Sequence, residues 1–271
     1  MGHGIGTGVR RGVNLVKQQV LKRVKLRQGA GRVSEPRLDN LIEDHGNGQT
    51  EVFVHVGLSD VKAAFDVDPY AFLLEKLDHQ FDSVIAPGFT DYFKTSGVYH
   101  KQHSRPKHGT FGGLFLEDAD YRTDDAIKSF LVRGPYRFQD CVHHDSYHED
   151  GCFNKLVSDN VLVMDIGTPW LTCSHLHYFE SVFDVEYVVE RSFQGVLLDD
   201  GDCRPIEQTC HQYESAFYMW NKPKIERLLE QRGVLWRYDL NGLQVLFFRL
   251  GDLADVIGEK LQSDEYYLVT V

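Results

Sequence analysis

Long apolar runs are missing from this chain. No stretch of about eighteen apolar residues occurs in its 271 residues, which excludes a transmembrane helix. Cysteine is scarce: Cys141, Cys152, Cys173, Cys203 and Cys210 make an odd number at scattered spacings. There is no Cys-x-x-Cys pair, and Cys210-His211 after Cys203 is too thin for a zinc site. A disulfide framework is therefore not expected, and a reducing, cytoplasmic setting is. Eight prolines and 24 glycines without a period exclude collagen-like or linker-dominated architecture. Core material is not lacking. With 42% hydrophobic and 12% aromatic residues the chain is excluded from the disordered class for most of its length. It is long enough for one large domain or two small ones.

The charge is unevenly placed along the chain. Residues 1–34 hold eight Lys/Arg and no Asp/Glu, while the remaining 237 hold 21 Lys/Arg against 40 Asp/Glu, a net of −19. An acidic body is a poor nucleic-acid binder and suits a cationic substrate such as a polyamine or amino sugar. Excess carboxylates also simply keep a surface hydrated. The GHGIGTG start lacks a preceding strand and the full dinucleotide spacing, so it reads as a terminus rather than a phosphate cradle. Val13–Arg27 reads as an amphipathic helix, with Val13, Val16, Val20 and Val24 on one stripe and basic residues around it. It has no continuous apolar region or cleavage site of a signal peptide. Such a helix can lie on an anionic membrane surface, dock on the acidic body, or contact a second subunit.

The body, residues 35–271, alternates strand and helix signals. Glu51–Val56 (EVFVHV) and Ser83–Ala86 read as strands, and Asn160–Gly167 (NVLVMDIG) as the clearest buried one. Asp68-Pro69 starts a helix that buries Phe72, Leu73 and Leu77. Val185–Val189 and Gln194–Leu198 read as short strands before a hairpin turn at Asp199-Asp200-Gly201. Pro223–Gly233 and Leu253–Leu261 read as helices flanking a strand at Val245–Phe248. The alternation indicates an α/β layered fold.

Three constellations could carry chemistry. Cys141–Asp150 packs three histidines and three carboxylates into ten residues, enough to hold a divalent metal or to place one histidine in an active-site loop. Ser174–Glu180 (SHLHYFE) follows the strongest strand. On a helix, His177 and Glu180 share a face, and a carboxylate beside an imidazole orients it and raises its basicity. Packed, satisfied histidines at a helix start would give the same letters. His103–Gly113 is basic and glycine-rich and could hold phosphate through backbone N–H groups, or serve only as a turn.

Taken in order, the segments resemble the aminoglycoside 3-N-acetyltransferase family, the antibiotic N-acetyltransferases. Val54–Ser59 resembles its V-H-S-S-L-S, and Val84–Thr90 its L-V-M-P-T-F-T. His108–Phe115 is similar to M-G-A-L-x-E-x-F. Arg122-Thr123, Ser129-Phe130 and Gly134 resemble its R-S-x-H-P-x-x-S-F stretch. Val161–Gly167 resembles V-L-L-L-G-V-G, and Leu176–Glu180 resembles L-H-L-A-E. The likeness spans roughly residues 36–270. Departures fall at Asp125-Ala126, Gly151-Cys152, Gly113 and Cys173. They bear on an aminoglycoside drug as the substrate more than on acyl transfer.

The resemblance implies a layered α/β/α sandwich with a smaller hairpin-containing C-terminal part. It implies acetyl-CoA as donor and an amine of an aminoglycoside or surface-glycan amino sugar as acceptor, with no metal. His177 is then the expected base with Glu180 orienting it, and His143 or His144 the runner-up. Backbone groups of His55, Val56, Gly57, Leu58 and Ser59 would bind the thioester oxygen. Arg105, Lys107 and Gly109 would meet the CoA phosphates, and Asp145, Glu149 and Asp150 the acceptor's ammonium groups. Two other readings stand beside it: a metal-dependent enzyme built on His143–Asp150, and a family member repurposed as a binding subunit.

Overall fold

The computed structural model describes residues 30–215 and 218–270. The amphipathic helix expected over Val13–Arg27 lies outside them. The chain begins with α1 (Glu35–Gly46), β1 (Glu51–Val56), α2 (Leu58–Phe65), α3 (Pro69–Gln80) and β2 (Ser83–Pro87). The Asp68 carboxylate caps α3 by accepting from the N–H groups of Tyr70 and Ala71, both at 3.0 Å, with Pro69 next to it. Leu73 and Leu77 are buried on that helix. Phe72 is only half-buried, under the Lys76 ammonium 4.5 Å above its ring.

After β2 come α4 (Phe93–Ser96), β3 (Val98–His100), α5 (Thr110–Asp118), β4 (Tyr121–Arg122) and β5 (Phe130–Arg133). Then follow α6 (Cys152–Ser158), β6 (Leu162–Ile166) and α7 (His175–Val182). A seven-stranded mixed sheet runs in the order β4-β5-β2-β1-β6-β10-β9, where β9 is Trp236–Leu240 and β10 Leu243–Arg249. Only β1 with β2 and β1 with β6 pair in parallel; the outer pairs are antiparallel.

Alternation along the strands sends side chains to two cores. Phe53, Ile85, Val163 and Phe248 face the layer with Phe153, Leu176, Phe179 and Ile257. Val52, Val54, Val84, Met164 and Phe247 face the layer with Leu38, Val61, Leu77 and Phe115. Helices thus cover both faces, as expected for a sheet whose central strands read as continuous apolar runs.

The hairpin is longer than its sequence suggested. The runs expected at Val185–Val189 and Gln194–Leu198 are not two short strands: residues 185–187 precede the sheet, and from Val188 onward the chain forms one twelve-residue strand, β7 (Val188–Asp199), paired along its whole length with β8 (Asp202–Tyr213). The turn residues Asp200 and Gly201 both have positive φ, 45° and 90°, so glycine and aspartate suit the left-handed twist there. β3 adds in parallel to β7 to make a second, three-stranded sheet. Helices α8 (Lys222–Gln231) and α9 (Leu250–Ser263) close the chain against the first core. Among the described residues no helix is long and apolar enough to cross a membrane.

Candidate active site

A cavity of about 310 Å³ opens at the carboxyl ends of the three parallel strands. Val54, His55 and Val56 come from the end of β1, Pro87 and Phe89 from the end of β2, and Thr168 and Thr172 from the loop after β6. The chain runs from β1 to β2 on one side and from β6 on to β9 and β10 on the other, so the direction of winding reverses between β1 and β6 and opens a crevice there. Gly109, the residue before α5, and Ser174, the residue before α7, both line it. Two helices therefore start at its walls and turn their positive ends toward it. Among the described lining residues no carboxylate occurs. Lys128 and Lys222 are there, with His108 at the mouth.

His177 stands on the first turn of α7 and lines the cavity. Its Nδ1 lies 3.0 Å from Oε2 of Glu180, the i,i+3 neighbour on the same face. Glu180 is fully buried. Its other oxygen, Oε1, accepts from Tyr187 Oη at 3.0 Å, Tyr213 Oη at 3.2 Å and Trp220 Nε1 at 2.8 Å. Burying a carboxylate is costly unless its lone pairs are filled, and here three neutral donors and an imidazole fill them. Burial, and then the Glu180 charge, hold both phenols far above their ordinary range, so they stay donors. A carboxylate can only accept, so Nδ1 of neutral His177 carries the proton and Nε2 keeps its lone pair. The ring lies 4.2 Å from the Trp220 ring and 5.3 Å from Tyr213, with the side chain 36% exposed.

Beneath the cavity burial favours the neutral forms of His55, His175 and Asp165. Burial, and then Lys222, pull His55 down to about 3; burial and His55 do the same to His175. Asp165, opposite His55 in the β1–β6 register, is held well above the carboxylate range by burial. Its Oδ2 accepts from Thr172 N at 2.6 Å, tying down the loop that forms one wall. Lys222 Nζ donates to Leu171 O at 3.0 Å, and Leu171 N donates to Glu226 Oε1 at 2.7 Å, from the other side of that loop.

The structure unites some of the expected site residues and separates others. His177, Glu180, His55, Val56 and Gly109 meet at the cavity or directly behind it. Gly57 does not offer its N–H, which donates to Ile166 O at 2.8 Å. A Cβ on Gly57 would lie 2.1 Å from Gly167 O, so the two loops touch backbone to backbone. Leu58 and Ser59 begin α2 outside the lining. Arg105 and Lys107 are exposed and also outside it; Lys107 sits 5.6 Å over the Tyr92 ring.

The 141–150 cluster is a folded loop beside the site. His143 is held between the Phe138 carbonyl at 3.0 Å and the Cys152 sulfur at 3.4 Å, and burial lowers its basicity. His144 is exposed, with its ring 6.4 Å from that of His148. Asp145 accepts from Tyr147 N at 3.0 Å in a local turn, and Glu149 and Asp150 are exposed. The loop reaches the dyad through Tyr147, 6.4 Å from the His177 ring. Among the described residues no group of three or more His, Cys, Asp or Glu is placed to hold a metal ion. Residues that the sequence did not reveal are Tyr187, Tyr213 and Trp220. They lie 7, 33 and 40 residues from Glu180, and no local pattern connects them to it.

A histidine–carboxylate pair at the carboxyl edge of an α/β sheet is an arrangement able to accept and hold a proton. Comparison with known proteins supplies the class. A sequence model of the aminoglycoside 3-N-acetyltransferase family matches residues 83–262. The chain belongs to this family, whose members are N-acetyltransferases. No curated protein sequence matches it significantly. Solved structures share its fold at low identity. The AAC-IIIb binary complex with CoASH is 13% identical, with 86% of this chain and 98% of that one covered and a TM-score of 0.67. Sisomicin-bound AAC-VIa is 16% identical over 85% and 98%, at a TM-score of 0.64. The YokD protein from Bacillus subtilis is 12% identical over 83% and 99%, at a TM-score of 0.64.

Proposed function

We propose that the chain transfers the acetyl group of acetyl-CoA to an amine of an amino sugar, either an aminoglycoside or a surface-glycan precursor. The observation that carries this reading is the His177–Glu180 dyad opening into an apolar cavity whose charged lining groups are cationic. Val54, Val56, Phe89, Phe111 and Trp220 suit a pantetheine arm, and Lys128 with the amino end of α5 suits phosphates. That a related structure holds CoASH and another holds sisomicin supports the two ligand classes.

In the reaction the amine nitrogen attacks the thioester carbonyl. Nε2 of His177 takes the proton that the nitrogen sheds, and Glu180 stabilises the imidazolium that results. The carbonyl oxygen gains charge beside the amino end of α7. The C–S bond then breaks, and the departing thiolate recovers the proton from His177. General base help of this kind is worth about 10²–10⁴-fold. The 145–150 loop supplies Asp145, Glu149 and Asp150 as acceptor contacts, and the acidic body favours the approach of a cation. Five free cysteines, four of them at least half-buried, suit a reducing cytoplasmic setting. The basic segment 1–34 serves docking, either to a second copy of the chain or to an anionic membrane surface.

Calorimetric titration with CoA and acetyl-CoA tests the reading. Micromolar binding is expected, with about 2.7 kcal/mol of stabilisation at a hundredfold excess over Kd. Absence of binding by both ligands would overturn it.

A further inference from the structure

Trp220 holds a place that the acyl-transfer scheme does not by itself require. Its ring packs 4.2 Å from that of His177, its Nε1 donates to Glu180 at 2.8 Å, and its side chain forms part of the cavity wall. It thus touches both members of the dyad and the space where the donor would lie. Its backbone is fixed independently of α7. Trp220 bridges Val269, Thr270 N donates to Met219 O at 3.0 Å, and Asn221 N donates to Leu268 O at 2.7 Å.

We propose that Trp220 is a positioning residue that fixes the orientation and tautomer of His177 for acyl transfer. The proposal rests on the function proposed above. His177 is one-third exposed and holds its carboxylate through a single hydrogen bond from Nδ1. A neutral imidazole left to itself can turn about Cβ–Cγ, which puts the Cε1–H where the base needs a lone pair, or move its proton to Nε2, which puts an N–H there. The indole opposes both changes. Its ring blocks rotation of the imidazole. Its N–H, with the two phenols, pins Oε1 so that Oε2 stays aimed at Nδ1. Phe cannot make the hydrogen bond but keeps a ring against His177; Ala keeps neither.

The test uses the full chain labelled with ¹⁵N and long-range ¹H–¹⁵N spectra of the imidazoles in mildly alkaline solution. His177→Asn assigns the signal. In the wild-type protein His177 is expected as the Nδ1–H tautomer. Trp220→Ala is expected to shift the population to Nε2–H, and Trp220→Phe to lie between. In turnover with acetyl-CoA and sisomicin or another amine that proves an acceptor, Trp220→Phe should lose about tenfold in kcat, the worth of one hydrogen bond to a charged group. A folded Trp220→Ala protein that keeps the wild-type Nδ1–H signal would overturn the proposal. If the Ala variant does not fold, an unchanged tautomer in Trp220→Phe does so. Failure of the functional reading looks different: the wild-type chain would not bind CoA, whatever the tautomer shows.

Discussion

Asp125 stands where the family pattern has histidine, and the structure gives it a role measurable without a substrate. The side chain is buried, 3% exposed. Its Oδ1 accepts from Ile127 N at 2.8 Å and Lys128 N at 2.6 Å, so it builds the turn that delivers Lys128 to the cavity. Burial pushes its pKa from 3.8 to about 6, against the opposing pull of those two N–H groups, Ser146 and Lys128. A carboxyl raised on folding adds stability that is fully present below its unfolded value and is lost as pH rises through the folded one. The window is therefore pH 3.8 to about 6. At 1.36 kcal/mol per pH unit the loss across it is about 3 kcal/mol. Asparagine keeps an Oδ1 to accept both N–H groups but does not titrate. The assay is urea unfolding of the wild-type and Asp125→Asn proteins from pH 4 to 8. The variant should gain on the wild type by about 3 kcal/mol between the ends of the window and hold that difference above it. Two stability curves that stay parallel through the window would refute the reasoning, because Asp125 would then be ionised at its ordinary pKa.

Other consequences are as direct. Glu180→Gln should cut kcat at least tenfold, since an amide N–H set against Nδ1–H leaves one donor unpaired; an unchanged kcat in steady-state assays would remove Glu180 from the mechanism. Lys128→Met should weaken CoA binding and flatten its salt dependence in calorimetry. It should also loosen Asp91. Burial pushes that carboxyl up but is outweighed by the hydrogen bond from His108 and the charges of Lys128 and Lys94, so it lies far below its usual range. Gly167→Ala should destabilise by about 1–3 kcal/mol in urea unfolding, because φ is +70° and its Cβ would lie 2.4 Å from Gly57 O.

The parts legible in sequence are those whose signal is local. Glu51–Val56 and Asn160–Gly167 read as strands because both of their faces are buried, and Asp68-Pro69 read as a helix start because the cap is written in two adjacent residues. The dyad was legible for the same reason, since His177 and Glu180 are three apart on one helix. The long hairpin was not, because β7 is half-exposed along most of its length and shows no sustained apolar alternation. The Glu180 cage was hidden by distance: Tyr187 and Tyr213 lie at the open end of the hairpin, and Trp220 just before α8. The histidine-rich 141–150 stretch shows the opposite limit. Its letters suggest a metal site, yet His143 is engaged by a carbonyl and a thiol, and His144 faces outward.

The most direct test of the central claim is the rate at which free CoA thiol is released from acetyl-CoA with and without an amine panel of aminoglycosides and amino sugars. The wild-type chain should release it in an acceptor-dependent way, and His177→Asn should be slower by about 10²–10⁴-fold while still binding CoA. Acceptor-dependent release that survives His177→Asn undiminished would contradict the account.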